Sequence, residues 1–203
     1  MKNNRFYSAL FSILLIGIAT GCIPGTITRA YGDAISQERS VADFNGIIVN
    51  GIGNVNIYRS ESYKLIVNAD SEIQDMIETQ VNGDFLHIDV KIRGISFRRI
   101  NTTITIDVYM PEIKSLSANG ATEIKIADGK TSDLEIQISG ASRIDAENYE
   151  AQNVDIALSG ASDAKIWATN LLNYRISGVC NISYKGNPTL TGRISGLGSI
   201  ERL

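Results

Sequence analysis

A short motif centred on a glycine recurs through the second half of the chain, and it constrains the fold more than any other feature. The motif is a small polar residue, a glycine, a small or apolar residue and a further small residue, and successive glycines are 20, 20, 18 and 18 residues apart. Copies begin at Asn119, Ser139, Ser159, Ser177 and Ser195, and an isolated early copy begins at Asn50. Such spacing is typical of a solenoid, in which each repeat packs only on its neighbours.

Apolar and polar residues alternate on both sides of each glycine, which indicates strands with one buried face. The residues expected in the core are Ile136, Ile138, Ile144, Ile156, Leu158 and Ile176. Two strands and two corners in each repeat predict an all-β fold, a right-handed β-solenoid (β-helix) with rungs of about 18–20 residues. The right hand is expected because crossovers between parallel strands are almost always right-handed.

The outward positions of successive repeats also form a pattern. Three residues after each glycine the sequence has Glu123, Arg143 and Asp163, and five residues after it has Lys125, Asp145 and Lys165. Because stacked rungs bring equivalent positions together, this alternation of sign predicts ladders of opposite charges. The charges therefore support the alignment that the glycines define.

The repeats are preceded by a less regular region. Asn82 and Gly83 lie between two alternating runs, which is a strong signal for a β-hairpin. Residues 71–78 are predicted to form a short helix, because Ser71 and Gln74 have the spacing of a capping box. We expect this hairpin and short helix to cap the solenoid at its N-terminal end.

The first 22 residues have the pattern of a secretory signal with a lipid-attachment site. Lys2 and Arg5 precede an apolar run over residues 6–19, which is too short to cross a bilayer. The run ends in Ala19-Thr20-Gly21-Cys22, which resembles a bacterial lipobox with Ala in place of the usual Leu. The resemblance implies cleavage before Cys22 and acylation of that cysteine. The alternative is an ordinary cleaved signal in which the cysteine is incidental.

The remaining chain is predicted to consist of a tether and one domain. Residues 23–40 contain Pro24, Gly25 and Gly32 and have no lasting period, so they are interpreted as a linker. The β-solenoid domain is expected to occupy residues 41–203.

Composition excludes several classes of function. The formal net charge is −3, whereas a nucleic-acid-binding protein needs a basic face, so no nucleic acid is expected as a partner. The chain has one histidine and two cysteines, which leaves few ligands for a metal site and no basis for a disulfide-stapled fold. We predict no cofactor, no metal and no catalytic residues.

Several motifs in a fixed order resemble the "putative auto-transporter adhesin, head GIN domain" family of bacterial envelope proteins. They are Glu38-Arg39, Phe44, Gly51–Ile57, Asn82-Gly83, the Ser-Gly-Ala-Ser repeats, Tyr184–Pro188 and Ile194–Ile200. The resemblance covers residues 38–203 and implies a β-helical fold, often with a lipoprotein signal. It implies no active site. The chain departs from the family pattern at Cys180, where a small residue is usual, and at Ala164, where isoleucine is usual.

Two carboxylates on adjacent rungs, Glu135 and Asp155, form the one catalytic pattern that deserves a test. Side chains in one outward column approach closely enough to resemble the acid pair of a retaining glycosidase. However, both are expected to face solvent, and neighbours such as Gln137 and Asn173 suggest no evident pocket. A solvated polar face is the favoured interpretation.

The other candidate residues are interpreted as a weak binding surface at most. Arg175 and Arg193 stack as like charges and could receive an anion, although Asp155 lies diagonally across from them. Trp167 faces outward and could stack on a sugar. His87 has no ligand partner on its strand, and Cys180 is expected to be a buried free thiol. The candidate binding residues are thus Glu135, Asp155, Arg175, Arg193 and Trp167.

Three functions are compatible with these observations. The favoured one is a lipid-anchored binding or adhesion module of the bacterial cell envelope, on the outer membrane, whose partner is a glycan or an envelope protein. The second is a structural envelope protein that forms homo-oligomers through its terminal coil. The third is a carbohydrate-active enzyme. The side of the membrane, periplasmic or outer surface, is left open by the sequence.

Overall fold

The computed structural model describes residues 33–91 and 103–203, and these residues form an all-β fold. The predicted signal peptide with Cys22, and residues 23–32 of the predicted linker, lie outside the described residues. The described strands are β1 (Ala34–Arg39), β2 (Gly46–Arg59), β3 (Lys64–Asp70), β4 (Ile77–Asn82), β5 (Phe85–Val90), β6 (Thr105–Met110), β7 (Ser115–Ile126), β8 (Gly129–Gly140), β9 (Arg143–Lys185), β10 (Thr189–Gly196) and β11 (Ser199–Arg202). None of the secondary structure in these ranges is a helix long and apolar enough to cross a membrane.

The strands belong to one large, mostly parallel sheet. Its main path runs β1-β3-β6-β2-β7-β8-β9-β10, and β11 pairs with β9. The glycines of successive repeats are direct partners: Gly51 with Gly120, Gly120 with Gly140, Gly140 with Gly160, and Gly178 with Gly196. The alignment of the repeats is therefore confirmed, and the isolated copy at Gly51 pairs with them across 69 residues of sequence. The winding of the sheet as a right-handed solenoid remains a prediction.

The core consists of the inward residues that the alternation predicts. All six residues expected to be buried (Ile136, Ile138, Ile144, Ile156, Leu158 and Ile176) are at most 3% exposed. Ile136 pairs in register with Leu116 on one side and with Ile156 on the other, so apolar side chains form a continuous column across three strands. Burial of each such side chain contributes about 1.5–3 kcal/mol, which makes these columns the main source of stability.

The corner glycines stack on one another without room for a side chain. Gly140 has φ +127° and Gly160 has φ +95°, which are conformations that L residues rarely adopt. A Cβ on Gly160 would lie 2.3 Å from the carbonyl oxygen of Gly140, and a Cβ on Gly140 would lie 2.2 Å from that of Gly120. Glycine is required here because the backbones of adjacent repeats are in direct contact.

A buried column of small hydrogen-bond donors lies two residues beyond these glycines. Its members are Thr122, Ser142, Ser162 and Cys180. Ser162 Oγ donates to the carbonyl oxygen of Gly140 at 3.1 Å, and Cys180 Sγ lies 3.6 Å from the carbonyl oxygen of Gly160 in the equivalent position. Cys180 thus takes the place of a serine, and its burial as a free thiol is confirmed.

The charge ladders form only in part. The register places Glu123 beside Arg143, and Lys125 beside Asp145. Arg143 also forms an ion pair with Asp163 at 3.8 Å, as predicted. Lys165, however, pairs with Glu147 at 3.5 Å, while Asp145 accepts a hydrogen bond from the backbone N–H of Glu147. Glu147 therefore replaces Asp145 as the ion-pair partner of Lys165, and the second predicted ladder is interrupted there.

The irregular region matches the sequence prediction at the hairpin but not at the helix. β4 and β5 pair antiparallel around Gly83, which has φ +58°, so the hairpin is confirmed. The predicted helix over residues 71–78 is wrong, because only a single 3-10 turn forms, over Gln74–Met76. Gln74 is buried rather than capping, and its Nε2 donates to the carbonyl oxygens of Ile35 and Val67.

The predicted linker ends earlier than expected, because β1 pairs antiparallel with β3. Arg39 strengthens this attachment: its guanidinium donates to the carbonyl oxygen of Gln74 and to Thr79 Oγ1, both at 3.1 Å. β1 was missed because it is an edge strand and most of its residues are exposed, so it lacks the alternation of a half-buried strand.

Tyr149 anchors the turn between β6 and β7. Its hydroxyl donates to the carbonyl oxygen of Ile113 at 2.9 Å and accepts from the Ile113 N–H at 3.1 Å. Burial raises the pKa of Tyr149 to about 12, so the hydroxyl keeps its proton at physiological pH. The neutral Tyr149 side chain therefore links β9 to the turn between β6 and β7.

Candidate functional site

One outward face of the repeats forms an open concavity of about 620 Å³. We call it the serine face, and it is lined by the residues one and three positions before each corner glycine. These residues are Asn119, Ser139, Ser159, Ser177 and Ser195 in one column, and Ser117, Gln137, Ala157, Arg175 and Arg193 in the next. Most of its side chains are short, and Ile138, Leu158 and Ile176, which lie between the two columns in sequence, also line it.

The charged groups of the serine face are two arginines. Arg175 and Arg193 are direct partners in the register of β9 and β10, so two like charges occupy adjacent strands of one column. Arg175 forms an ion pair with Asp155 from the adjacent column, at 2.6 Å. Arg193 forms no ion pair with any residue that the structure describes. Among the described residues, the concavity therefore carries one positive charge without an ion-pair partner, in a protein whose net charge is negative.

The carboxylates Glu135 and Asp155 lie in one column, as predicted, but they are already engaged. Asp155 accepts a hydrogen bond from Asn173 Nδ2 at 2.8 Å in addition to its ion pair with Arg175. Glu135 accepts a hydrogen bond from Gln137 Nε2 at 2.6 Å. Both line a separate shallow hollow of about 510 Å³ beside the serine face. Their partners hold them as parts of a polar ladder.

The structure corrects the expectation that this region contains no pocket. Gln137 and Arg175 line the serine face, and Asn173 lines the hollow beside it. A serine precedes four of the five repeat glycines and Asn119 precedes the fifth, but a corner motif by itself does not predict a surface. The signal that could have found the face was the regular return of a short polar side chain at an outward position.

Trp167 does not line either of these surfaces. Its ring is half-buried, and Lys185 Nζ lies 3.8 Å from the ring centroid. This cation–π contact occupies one face of the indole that a sugar would need. Trp167 is therefore separate from the other candidate binding residues, which are Glu135, Asp155, Arg175 and Arg193.

His87 lies in another hollow, of about 740 Å³, which also includes Arg39, Glu78 and Asp89. Burial lowers the pKa of Arg39, although Asp75 opposes this effect, and its donors are committed to the hydrogen bonds that hold β1. Within residues 33–91 and 103–203, no group of three or more His, Cys, Asp or Glu side chains could hold a metal ion. The hollow is best described as the place where β1 attaches to the hairpin.

Solved structures resemble this chain at low sequence identity, and the first of them shares its fold. A crystal structure of a putative adhesin from Bacteroides fragilis is 20% identical, covers 84% of this chain and 97% of its own, and has a TM-score of 0.59. A putative lipid binding protein from Parabacteroides distasonis is 18% identical, with coverage of 86% and 98% and a TM-score of 0.44. A putative adhesin from Parabacteroides merdae is 16% identical, with coverage of 85% and 97% and a TM-score of 0.43.

None of the curated proteins compared with this chain matches it. A family model, in contrast, matches most of the domain. The model is described as "Putative auto-transporter adhesin, head GIN domain", and it matches residues 43–128 and again residues 115–188. The two matches together cover β2 to β9, including Gly51 and the stacked glycines from Gly120 to Gly178. The chain therefore belongs to the putative auto-transporter adhesin, head GIN domain family.

Proposed function

We propose that this protein is a lipid-anchored binding module of the bacterial cell envelope, and that its ligand lies across the serine face. Membership of a family described as an adhesin head supports a role in binding at the envelope or cell surface. The observation that carries the proposal is the uncompensated charge of Arg193 in a concavity lined by hydroxyl and amide groups. A solenoid supplies such a surface, because it repeats each outward position once per rung.

The right-handed solenoid is part of the same proposal. The parallel register of β7, β8 and β9, in which each residue pairs with one 20 positions away, supports a coil that advances by one strand spacing per repeat. The pairing of β10 with β9 at a separation of 18 residues supports its continuation to the end of the sheet. Parallel crossovers favour the right hand.

An extended acidic glycan is the ligand class that fits the serine face best. Serine hydroxyls and the amides of Asn119 and Gln137 can donate to and accept from sugar hydroxyls. A guanidinium binds a carboxylate through two parallel hydrogen bonds. The columns repeat at the strand spacing of roughly 4.8 Å, which is close to the advance of one sugar in an extended chain. A ligand of this kind would lie across the strands, one sugar per rung.

Replacing Arg193 by glutamine is expected to weaken binding of an acidic polysaccharide about tenfold, since a hydrogen bond to a charged group contributes about 1.5–3 kcal/mol. Binding of the chain to immobilised polyuronate and to a neutral glucan is measured by biolayer interferometry. Arg143→Gln is the matched control: it removes the same charge from an exposed arginine outside the serine face. Equal loss in both variants, or no binding to any glycan of a panel, would contradict the proposal.

The same incubations test the absence of catalysis. The proposal expects the polysaccharide to be recovered intact, because Asp155 and Glu135 are engaged by neighbouring side chains. New reducing ends or unsaturated uronates that disappear in Glu135→Gln or Asp155→Asn would establish an enzyme instead.

The lipid anchor is tested at Cys22. In a bacterium fed a labelled fatty acid, the wild-type chain is expected to carry the label and to fractionate with membranes, preferably the outer membrane. Cys22→Ser is expected to lose both, because the thiol that is acylated is absent, and several acyl chains are needed for stable anchoring. Cys180→Ser is the matched control, since Cys180 is fully buried. Equal labelling of the wild type and Cys22→Ser would refute the anchor.

A further inference from the structure

The last rung of the sheet has an unpaired edge. β10 and β11 form hydrogen bonds back to β9 and pair with no other strand among the described residues. Within residues 33–91 and 103–203, the backbone groups on their outer side therefore have no strand partner. An exposed edge of this kind is a template for pairing unless it is short, charged or covered.

Exposed apolar side chains concentrate on the same rung. Leu190 is 41% exposed, Ile194 40%, Leu197 77% and Leu203 60%, and they make up most of the large exposed apolar side chains in the described part of the chain. Leu190 and Ile194 pair in register with the buried residues Leu172 and Ile176. The core columns thus continue to the terminal strand and are open to solvent there.

The other end of the sheet presents a different surface in the part of the chain that the structure describes. It is closed by the antiparallel pairs β1–β3 and β4–β5, and the outermost strand β1 is mostly polar, with Ile35 as its exposed apolar residue. Head-to-tail stacking would therefore place the open core against a polar edge. The surface most similar to the terminal rung is the terminal rung of a second copy.

The sequence of β10 is complementary to itself when it is reversed. In an antiparallel pair of two β10 strands centred on Gly192, Leu190 lies opposite Ile194 of the other copy on the core side. On the outward side Arg193 lies opposite Thr191, and Thr189 lies opposite Ser195. This register joins apolar to apolar and polar to polar, and it keeps the two Arg193 side chains from facing each other directly.

We infer that two copies of this chain associate tail to tail, with β10 of one copy paired antiparallel to β10 of the other about a two-fold axis at Gly192. Such an interface is isologous and closes at the dimer. It covers the open core columns with the same residues from the second copy. It also joins the two serine faces end to end, but it does not depend on a ligand for them.

Disulfide cross-linking tests the register directly. In the full chain at the bacterial membrane, the double variant Thr189→Cys/Ser195→Cys is expected to form a disulfide-linked dimer on a non-reducing gel. Directly opposed residues of antiparallel strands have Cβ atoms about 4.5–5.5 Å apart, so a shift of about 1 Å brings two cysteines to the separation of roughly 3.5–4.5 Å found in disulfides. Each single variant is expected to run on the same gel as an uncross-linked chain, because its cysteine faces a serine or threonine of the other copy. Protection of the buried Cys180 from a thiol reagent verifies that each variant is folded.

A lysine substitution tests the apolar contact. Ile194→Lys is expected to abolish the dimer measured by light scattering of the detergent-solubilised chain, since it places charges against the apolar columns of both copies. Ile35→Lys is the matched control: Ile35 is 44% exposed, and it lies on the opposite edge. A dimer that persists in Ile194→Lys, a monomeric wild type, or cross-linking equal in the single and double cysteine variants would overturn the inference.

Discussion

Replacing Gly160 by alanine is expected to lower the free energy of unfolding by about 4 kcal/mol or more. The added Cβ would lie 2.3 Å from the carbonyl oxygen of Gly140, far inside van der Waals contact. Neither backbone can move away easily, because β8 and β9 are paired in register from Gly129 to Gly140. The positive φ of Gly160 adds the cost of a left-handed conformation for an L residue.

The variant Gly83→Ala separates the steric clash of the added Cβ from the cost of the backbone conformation. Gly83 also has a positive φ, +58°, but nothing lies within 4 Å of the position of its Cβ. The substitution should therefore lower the free energy of unfolding only by the cost of the left-handed backbone conformation, about 1–2 kcal/mol. Urea denaturation of both variants gives the comparison. Similar stabilities for Gly160→Ala and Gly83→Ala would show that the glycine column has space for side chains, contrary to the stacking described above.

The repeating part of the fold was predictable because its physics is local and periodic. Alternation placed Ile156 and Leu158 on the buried face, and the spacing of the glycines aligned one repeat with the next. Asn82 and Gly83 specified a hairpin through backbone preference alone. In each case a few neighbouring residues determine the structure, so no distant partner has to be known.

The features that were missed depend on partners distant in sequence. Gln74 has the spacing of a helix cap, but its amide instead bridges the carbonyl oxygens of Ile35 and Val67 on two separate strands. β1 is exposed and acquires its structure from pairing with β3. Tertiary contacts override local propensity at both places, and one sequence offers no means to detect them.

The candidate site was predicted only in part, for a related reason. Arg175 and Arg193 were identified as stacked charges, and the relief of Arg175 by Asp155 was anticipated from the register. The concavity was not predicted, because it forms where five short side chains in adjacent strands leave space that long side chains would fill. The serine or asparagine that precedes each repeat glycine is unremarkable in a single repeat, and these residues form a surface only when the repeats stack.

Replacing Ile156 by aspartate is expected to abolish cooperative unfolding of the domain. Ile156 is fully buried, and its partner in the neighbouring strand, Ile136, is fully buried as well. A carboxylate at this position finds no cation or donor on its register partner Ile136, and an uncompensated buried charge costs about 3–5 kcal/mol. The lost isoleucine adds the cost of its missing contacts. Together these losses approach the stability of an ordinary domain, about 5–15 kcal/mol.

Ala157→Asp is the matched control for this prediction. It introduces the same charge one position later, where the side chain points to the opposite side of the strand and lines the serine face with Arg175. We expect a change of about 1 kcal/mol or less, since an exposed pair of opposite charges has a small effect. Thermal unfolding followed by circular dichroism compares the two variants. If both melt cooperatively within a few degrees of the wild type, the strand does not bury the face that contains Ile156, and the register from which the serine face is derived is wrong.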